Sequence, residues 1–261
     1  MSLEIDTDRW AVHFRHRQLS RPEPDWTAPM SLSPGIVNRL VRSLEQFQLS
    51  DGGGPASLIA WNAETFRSRD DDTRLLVDLW FEEEKEHTRL LSGLVRRFGG
   101  QRISGHWSFS VFCGVRRLFG VRFELTVLLL TEIASTVYYR LLYRHCADPV
   151  LREVCGQILR DEVGHVAFHR DRLARKVRGT KSRYGLCRAA NFHILGHAAA
   201  TMLWINHASA LTAIGATRTE FYREVRRELF VFVRRLQRES HLAGTMKRPE
   251  FSVRLDKLAR K

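Results

Sequence analysis

Cysteine is scarce in this chain, and its four copies (Cys113, Cys146, Cys155, Cys187) show no C-x-x-C spacing. That pattern argues against a disulfide-stapled secreted scaffold and against a thiolate zinc ribbon, and it points to a reducing compartment. Acidic residues are also in short supply: 29 Asp and Glu face 42 Lys and Arg, a net charge of +13 with a pI near 10.3. The excess is mostly arginine scattered through the chain rather than gathered in a tail. An anionic partner (acyl carrier protein, nucleic acid or a membrane surface) and an Arg-favouring genome composition both account for it. Proline is sparse as well, and three of its seven copies (Pro22, Pro24, Pro29) fall before Ser33 in a stretch without lasting periodicity. Residues 1–33 are therefore expected to be an irregular arm, pinned by Trp10 and Trp26. The N-terminus carries Glu4, Asp6, Asp8 and Arg9 where a secretory leader needs an apolar core, so the expectation is a cytoplasmic protein. No apolar run is long enough to span a bilayer: the longest, Val121–His145, is broken by Arg122, Glu124, Glu132 and Arg140.

What the sequence does contain is helical periodicity. Ser33-Pro34 is a cap followed by proline at the first helical position, and apolar residues then recur at Ile36, Leu40, Leu44 and Phe47. Gly52-Gly53-Gly54-Pro55 splits or kinks this element before it resumes through Leu58, Ile59, Trp61 and Phe66. Asp70-Asp71-Asp72 opens the next helix, which closes at Gly99-Gly100 with Arg96 and Arg97 in its last turn. Residues 101–120 read as a long connection with short helical pieces. The Val121–His145 segment follows, then a helix opened by Asp148-Pro149 and running to about Gly179. Two further helices cover Tyr184–Ile214 and Thr217–Ser240, the last opened by the capping-box pair Thr217 and Glu220. Its stripe of Phe221, Val225, Leu229 and Phe232 suits packing on the rest of the molecule more than a membrane surface.

Within that framework one spacing carries chemistry. Glu84 and His87 stand three residues apart, so a carboxylate and an imidazole share one helix face. The same spacing recurs once, at Glu162 and His165. Between them Glu132 sits amid Leu128, Leu129, Ile133 and Val137, where a carboxylate needs a partner or a metal. Mixed carboxylate and imidazole ligation suits iron or manganese rather than structural zinc.

The ordered set Glu84-x-x-His87, Glu132, Glu162-x-x-His165 resembles the ferritin-like non-haem di-iron carboxylate proteins: rubrerythrin, the acyl-carrier-protein desaturases, the aldehyde-deformylating oxygenase and the bacterial hydroxylases. The resemblance covers roughly residues 33–179. It implies an all-α fold, a ferritin-like four-helix bundle over residues 34–179, with two additional C-terminal helices and a basic tail (180–261) packed on the same domain. It also implies two iron ions, manganese being the alternative, held by Glu84, His87, Glu132, Glu162 and His165. The first-helix carboxylate is less clear. Rubrerythrin-like spacing counted back from Glu84 lands on Asp51, with Glu64 and Glu45 as rivals. Thr136, one turn after Glu132, resembles the threonine beside the oxygen-binding pocket of multicomponent monooxygenases, although a hydroxyl bonding back to its own helix explains it equally. Tyr138 and Tyr139 suit a core, and His169, His193, His197 and His207 are read as structural histidines.

The implied function is an oxidase or oxygenase that uses dioxygen and an external electron donor on a small-molecule or carrier-bound substrate, by hydroxylation, desaturation or N-oxygenation. A ferroxidase or peroxide-scavenging iron protein is the alternative. A metal-free ferritin-like binding module for an anionic partner is the second, disfavoured because five buried ionisable groups without metal carry a large desolvation cost. A homodimer is compatible with the sequence.

Overall fold

In a computed structural model the residues described are 6–19, 21–50, 71–117, 121–176 and 182–245, and among them there are eight helices and no strand. They are α1 (Thr7–Leu19), α2 (Pro34–Ser50), α3 (Asp71–Arg97), α4 (Trp107–Arg117), α5 (Val121–His145), α6 (Pro149–Lys176), α7 (Ser182–Ala213) and α8 (Arg218–Thr245). Asp51 and Glu64 lie outside the described residues, as does the Gly52 to Pro55 break.

Local chemistry sets these boundaries. The Asp148 carboxylate accepts the Leu151 N–H at 2.9 Å, capping α6, while its other oxygen takes Arg97 at 3.0 Å and so ties the start of α6 to the end of α3. At the end of α3 the chain turns through Gly99 at φ 75°, the left-handed conformation that favours glycine, and Gly100 N–H returns to the Val95 carbonyl at 2.8 Å. The α8 capping box is only half formed. Thr217 accepts the Glu220 N–H at 3.1 Å, but the Glu220 carboxylate turns away to Arg144 and His145 of α5.

Helix α5 lies at the centre, packed on α6, α7 and α8, with Leu129, Val137, Tyr138, Tyr139, Leu141 and Leu142 buried. By length and composition alone its stretch Phe123–His145 could cross a membrane, yet it is mostly buried inside the protein. Around it α2 packs on α3 and α7, and α3 on α6. The α8 stripe (Phe221, Val225, Leu229, Phe232) is buried against the rest, and Arg140 and Arg144 pair with Glu224, Glu228 and Glu220 across α5 and α8.

Residues Thr7–Leu19 correct the expectation of an irregular arm: they form α1, docked on α3, with Trp10 and Phe14 buried. Gly164 of α6 faces α1, and a Cβ there would overlap the His13 ring as it stands. Sequence periodicity missed α1 because its apolar positions are few and its charged ones many. The connection between α3 and α5 contains a short helical piece, as expected: the eleven-residue α4.

Candidate metal centre

Glu84 and His87 project from the middle of α3, Glu162 and His165 from the middle of α6, and Glu132 from α5. The fold brings all five together. Oxygens of Glu84 and Glu132 and a nitrogen of His165 lie within 4.8 Å of one another. His165 Nδ1 is 3.1 Å from Glu84 and 3.7 Å from Glu162, and His87 Nδ1 is 3.7 Å from both Glu84 and Glu162. The inner nitrogens of His87 and His165, one oxygen of Glu162 and one of Glu132 are all buried without a hydrogen-bond partner among the described residues. Unpaired buried polar atoms are costly, and here they converge on one point. A pair of cations there would satisfy each of them.

The outer nitrogens of the imidazoles are held by a crossed pair of carboxylates. Glu83, just before Glu84 on α3, bonds His165 Nε2 at 2.9 Å, and Asp161, just before Glu162 on α6, bonds His87 Nε2 at 3.2 Å. In the neutral imidazole this contact places the hydrogen on Nε2 and would turn the Nδ1 lone pair inward, the arrangement by which ligating histidines are oriented. Arg21 then pairs with both carboxylates, at 3.1 Å each, and Arg17 reaches Asp161 at 3.4 Å. The segment expected to be irregular thus provides the positive charge behind the site. Signals for the outer layer were in view, since an acid precedes the glutamate of each motif, but nothing periodic marks which histidine each acid will meet.

Proton positions follow from this crowding. Burial pushes Glu132 up to about 8 and also raises Glu162. Burial opposes charge on His87 and His165 too, yet the carboxylates around them outweigh it and both are raised. Burial works against ionised Glu84, but His165 and His87 beside it prevail and lower it. Protons on the histidines and on Glu132 and Glu162 thus take the part that cations would play.

His169, read from the sequence as structural, lies fully buried one turn beyond His165 with Nε2 3.5 Å from Glu132. Arg172 donates to its Nδ1 at 3.3 Å, which leaves the ring hydrogen on Nε2, buried without a hydrogen-bond partner among the described residues. Trp80 packs edge-on against that ring and donates its own N–H to Glu84 at 3.0 Å.

Other residues fall elsewhere. The Glu45 carboxylate accepts the Gln101 N–H at 2.9 Å beyond the end of α3, which removes it as the first-helix ligand. The Thr136 hydroxyl bonds back to the Glu132 carbonyl at 2.7 Å, and the side chains that α5 turns toward the adjoining cavity include Thr131 and Ser135 but not Thr136. Tyr138 and Tyr139 are core residues.

That cavity, about 820 Å³, has Glu84, Glu132 and Glu162 at one end, while His87 and His165 stand behind the carboxylates. Its walls are largely apolar, with Phe81 from α3, Phe112 from α4, Leu128 from α5, and Leu195 and Met202 from α7. Comparison of the chain with models of known protein families, with curated proteins and with solved structures finds no match.

Proposed function

We propose that the chain is a ferritin-like di-metal carboxylate protein, in which α2, α3, α5 and α6 form the four-helix bundle, and that it acts as a di-iron oxidase or oxygenase on an organic substrate. The observation that carries this reading is the convergence of unpaired, buried ligand atoms from His87, His165, Glu132 and Glu162 at the end of a largely apolar cavity. His87 and His165 would each bind a metal through Nδ1, with Glu84, Glu132 and Glu162 supplying oxygens and a first-helix carboxylate, Asp51 or Glu64, completing the set. Two iron ions held there, given electrons from an external donor, supply the capacity to activate dioxygen.

The protein's own residues do the rest. Glu83 and Asp161 hold the imidazoles in the ligating tautomer, with Arg21 paired to both acids and Arg17 to Asp161 behind the site. Glu132 lines the cavity, with His169 Nε2 3.5 Å away. Phe81, Phe112 and Leu128 keep water from the reacting end and would hold an apolar substrate against it.

The test has two stages. Purified protein should contain iron, and His87→Ala and His165→Ala should each lose it. Oxygen consumption by the reduced, iron-loaded protein should then depend on an added organic substrate. Consumption that depends only on ferrous iron supply would favour the ferroxidase reading instead.

A further inference from the structure

The lining of the cavity also includes polar groups that the proposed chemistry does not use, Gln46 and His207 among them. Ser43 of α2 bonds the Tyr138 hydroxyl at 2.6 Å and His207 Nδ1 at 2.8 Å, and all three side chains are buried. Among the described residues Ser43 is the acceptor in reach of the Tyr138 hydroxyl, so Tyr138 donates to Ser43 and Ser43 donates to His207 Nδ1. The ring hydrogen of His207 is then on Nε2, and His207 lines the cavity. Burial pushes this histidine down to about 3, so the donor is neutral. One turn along α2 from Ser43, Gln46 also lines the cavity, and its Oε1 is buried without a partner among the described residues. Phe47 stacks on Tyr138 and lies 4.5 Å from the His207 ring, fixing α2 against α7 at this point.

We propose that Gln46 and His207 form a recognition subsite for the head of a neutral, otherwise apolar molecule, a head that both donates and accepts a hydrogen bond. A primary amide is the simplest case: its N–H meets Gln46 Oε1 and its carbonyl meets His207 Nε2–H. An anionic head is disfavoured, because the one Lys or Arg among the described lining residues, Lys85, is already bound to Glu82 at 2.6 Å. The inference rests on the functional reading only in taking the carboxylate end as the reacting end, with the substrate's apolar body spanning the space between.

The test is calorimetric titration of octanamide, N,N-dimethyloctanamide and octanoate into metal-free and iron-loaded protein, with iron content measured separately. Octanamide should bind at least tenfold more tightly than octanoate. Gln46→Leu should weaken octanamide about tenfold and leave the dimethyl compound, which has no N–H to offer, unchanged. His207→Phe should weaken both amides by a similar factor, provided circular dichroism shows it folded; if it is not folded, Gln46→Leu decides alone, since Gln46 Oε1 supports no contact within the described residues. Octanoate binding as tightly as octanamide, no binding of any probe, or octanamide binding indifferent to Gln46→Leu overturns the subsite. Selective amide binding by a protein that takes up no iron leaves the subsite standing and removes the functional reading, whereas iron uptake without amide selectivity does the reverse.

Discussion

Each histidine at the centre has one nitrogen held from outside and one left bare inside, and that asymmetry sets what substitutions should do. Asp161→Asn or Glu83→Gln keeps the size of the side chain but removes the negative charge that turns His87 or His165 inward. Each should weaken iron binding about 10- to 100-fold in a chelator competition, the usual cost of losing an orienting partner. Glu86→Gln is the control, because Glu86 pairs with Arg89 on the outer face of α3, and it should leave affinity unchanged. Metal binding must also expel the protons that His87, His165 and Glu132 hold when no cation is present. Affinity should therefore rise with pH between about 6 and 8, measured by the same competition; an affinity flat across that range would contradict the proton accounting. The pairing of Glu84 with His87 and of Glu162 with His165 on one helix face each was legible because a three-residue spacing is a local property of one helix. The crossed bonds from Glu83 and Asp161, the approach of His169 to Glu132 and the backbone bond of Thr136 depend on how separate helices meet or on rotamer choice, which no spacing encodes.

Among the elements, α1 shows how a polar segment can matter to a buried site. Its sequence has a low apolar content, yet Trp10 and Phe14 enter a cluster with Leu76, Trp80 and Phe168, and Trp10 Nε1 donates to Asp171 at 3.0 Å. Phe14→Ala should cost about 3–5 kcal/mol in chemical denaturation, as expected for truncating a buried aromatic ring. Gly164→Val should act differently: the added side chain meets His13, pushes α1 off α6 and carries Arg17 and Arg21 away from Asp161. Iron affinity should fall while most helicity remains. Equal losses of affinity and helicity would mean that α1 serves stability alone. The arginine pairs between α5 and α8 call for a smaller expectation. Arg144 is half exposed, so Arg144→Ala should cost less than about 1 kcal/mol despite its two carboxylate partners. Helix ends such as Ser33-Pro34, Asp148-Pro149 and Thr217 could be read from the sequence because caps are local, as could helical structure within residues 101–120; the docking of α1 could not, since its apolar stripe is too short to stand out.

At the scale of the whole molecule, a core that encloses many ionisable groups makes both stability and function depend on pH and on metal. Burial pushes His207 down to about 3 in the folded protein from its ordinary 6.5. Between those values the unfolded chain binds more protons, so stability contributed by this residue is full above pH 6.5 and is lost as pH falls toward 3, with a slope of at most about 1.4 kcal/mol per pH unit. The difference in unfolding free energy between His207→Phe and the wild type, followed from pH 7 to pH 4, should shift in favour of the variant as pH falls. Iron should add to the stability of the folded state, since the site does not exist in the unfolded chain. The central claim is that this site holds a pair of metal ions, and the most direct measurement is the iron content per chain after anaerobic loading with ferrous iron and removal of loosely bound metal. The account predicts two iron ions per chain in the wild type and a marked loss in both His87→Ala and His165→Ala. Iron content near zero in the wild type, or unchanged in the two variants, would contradict it.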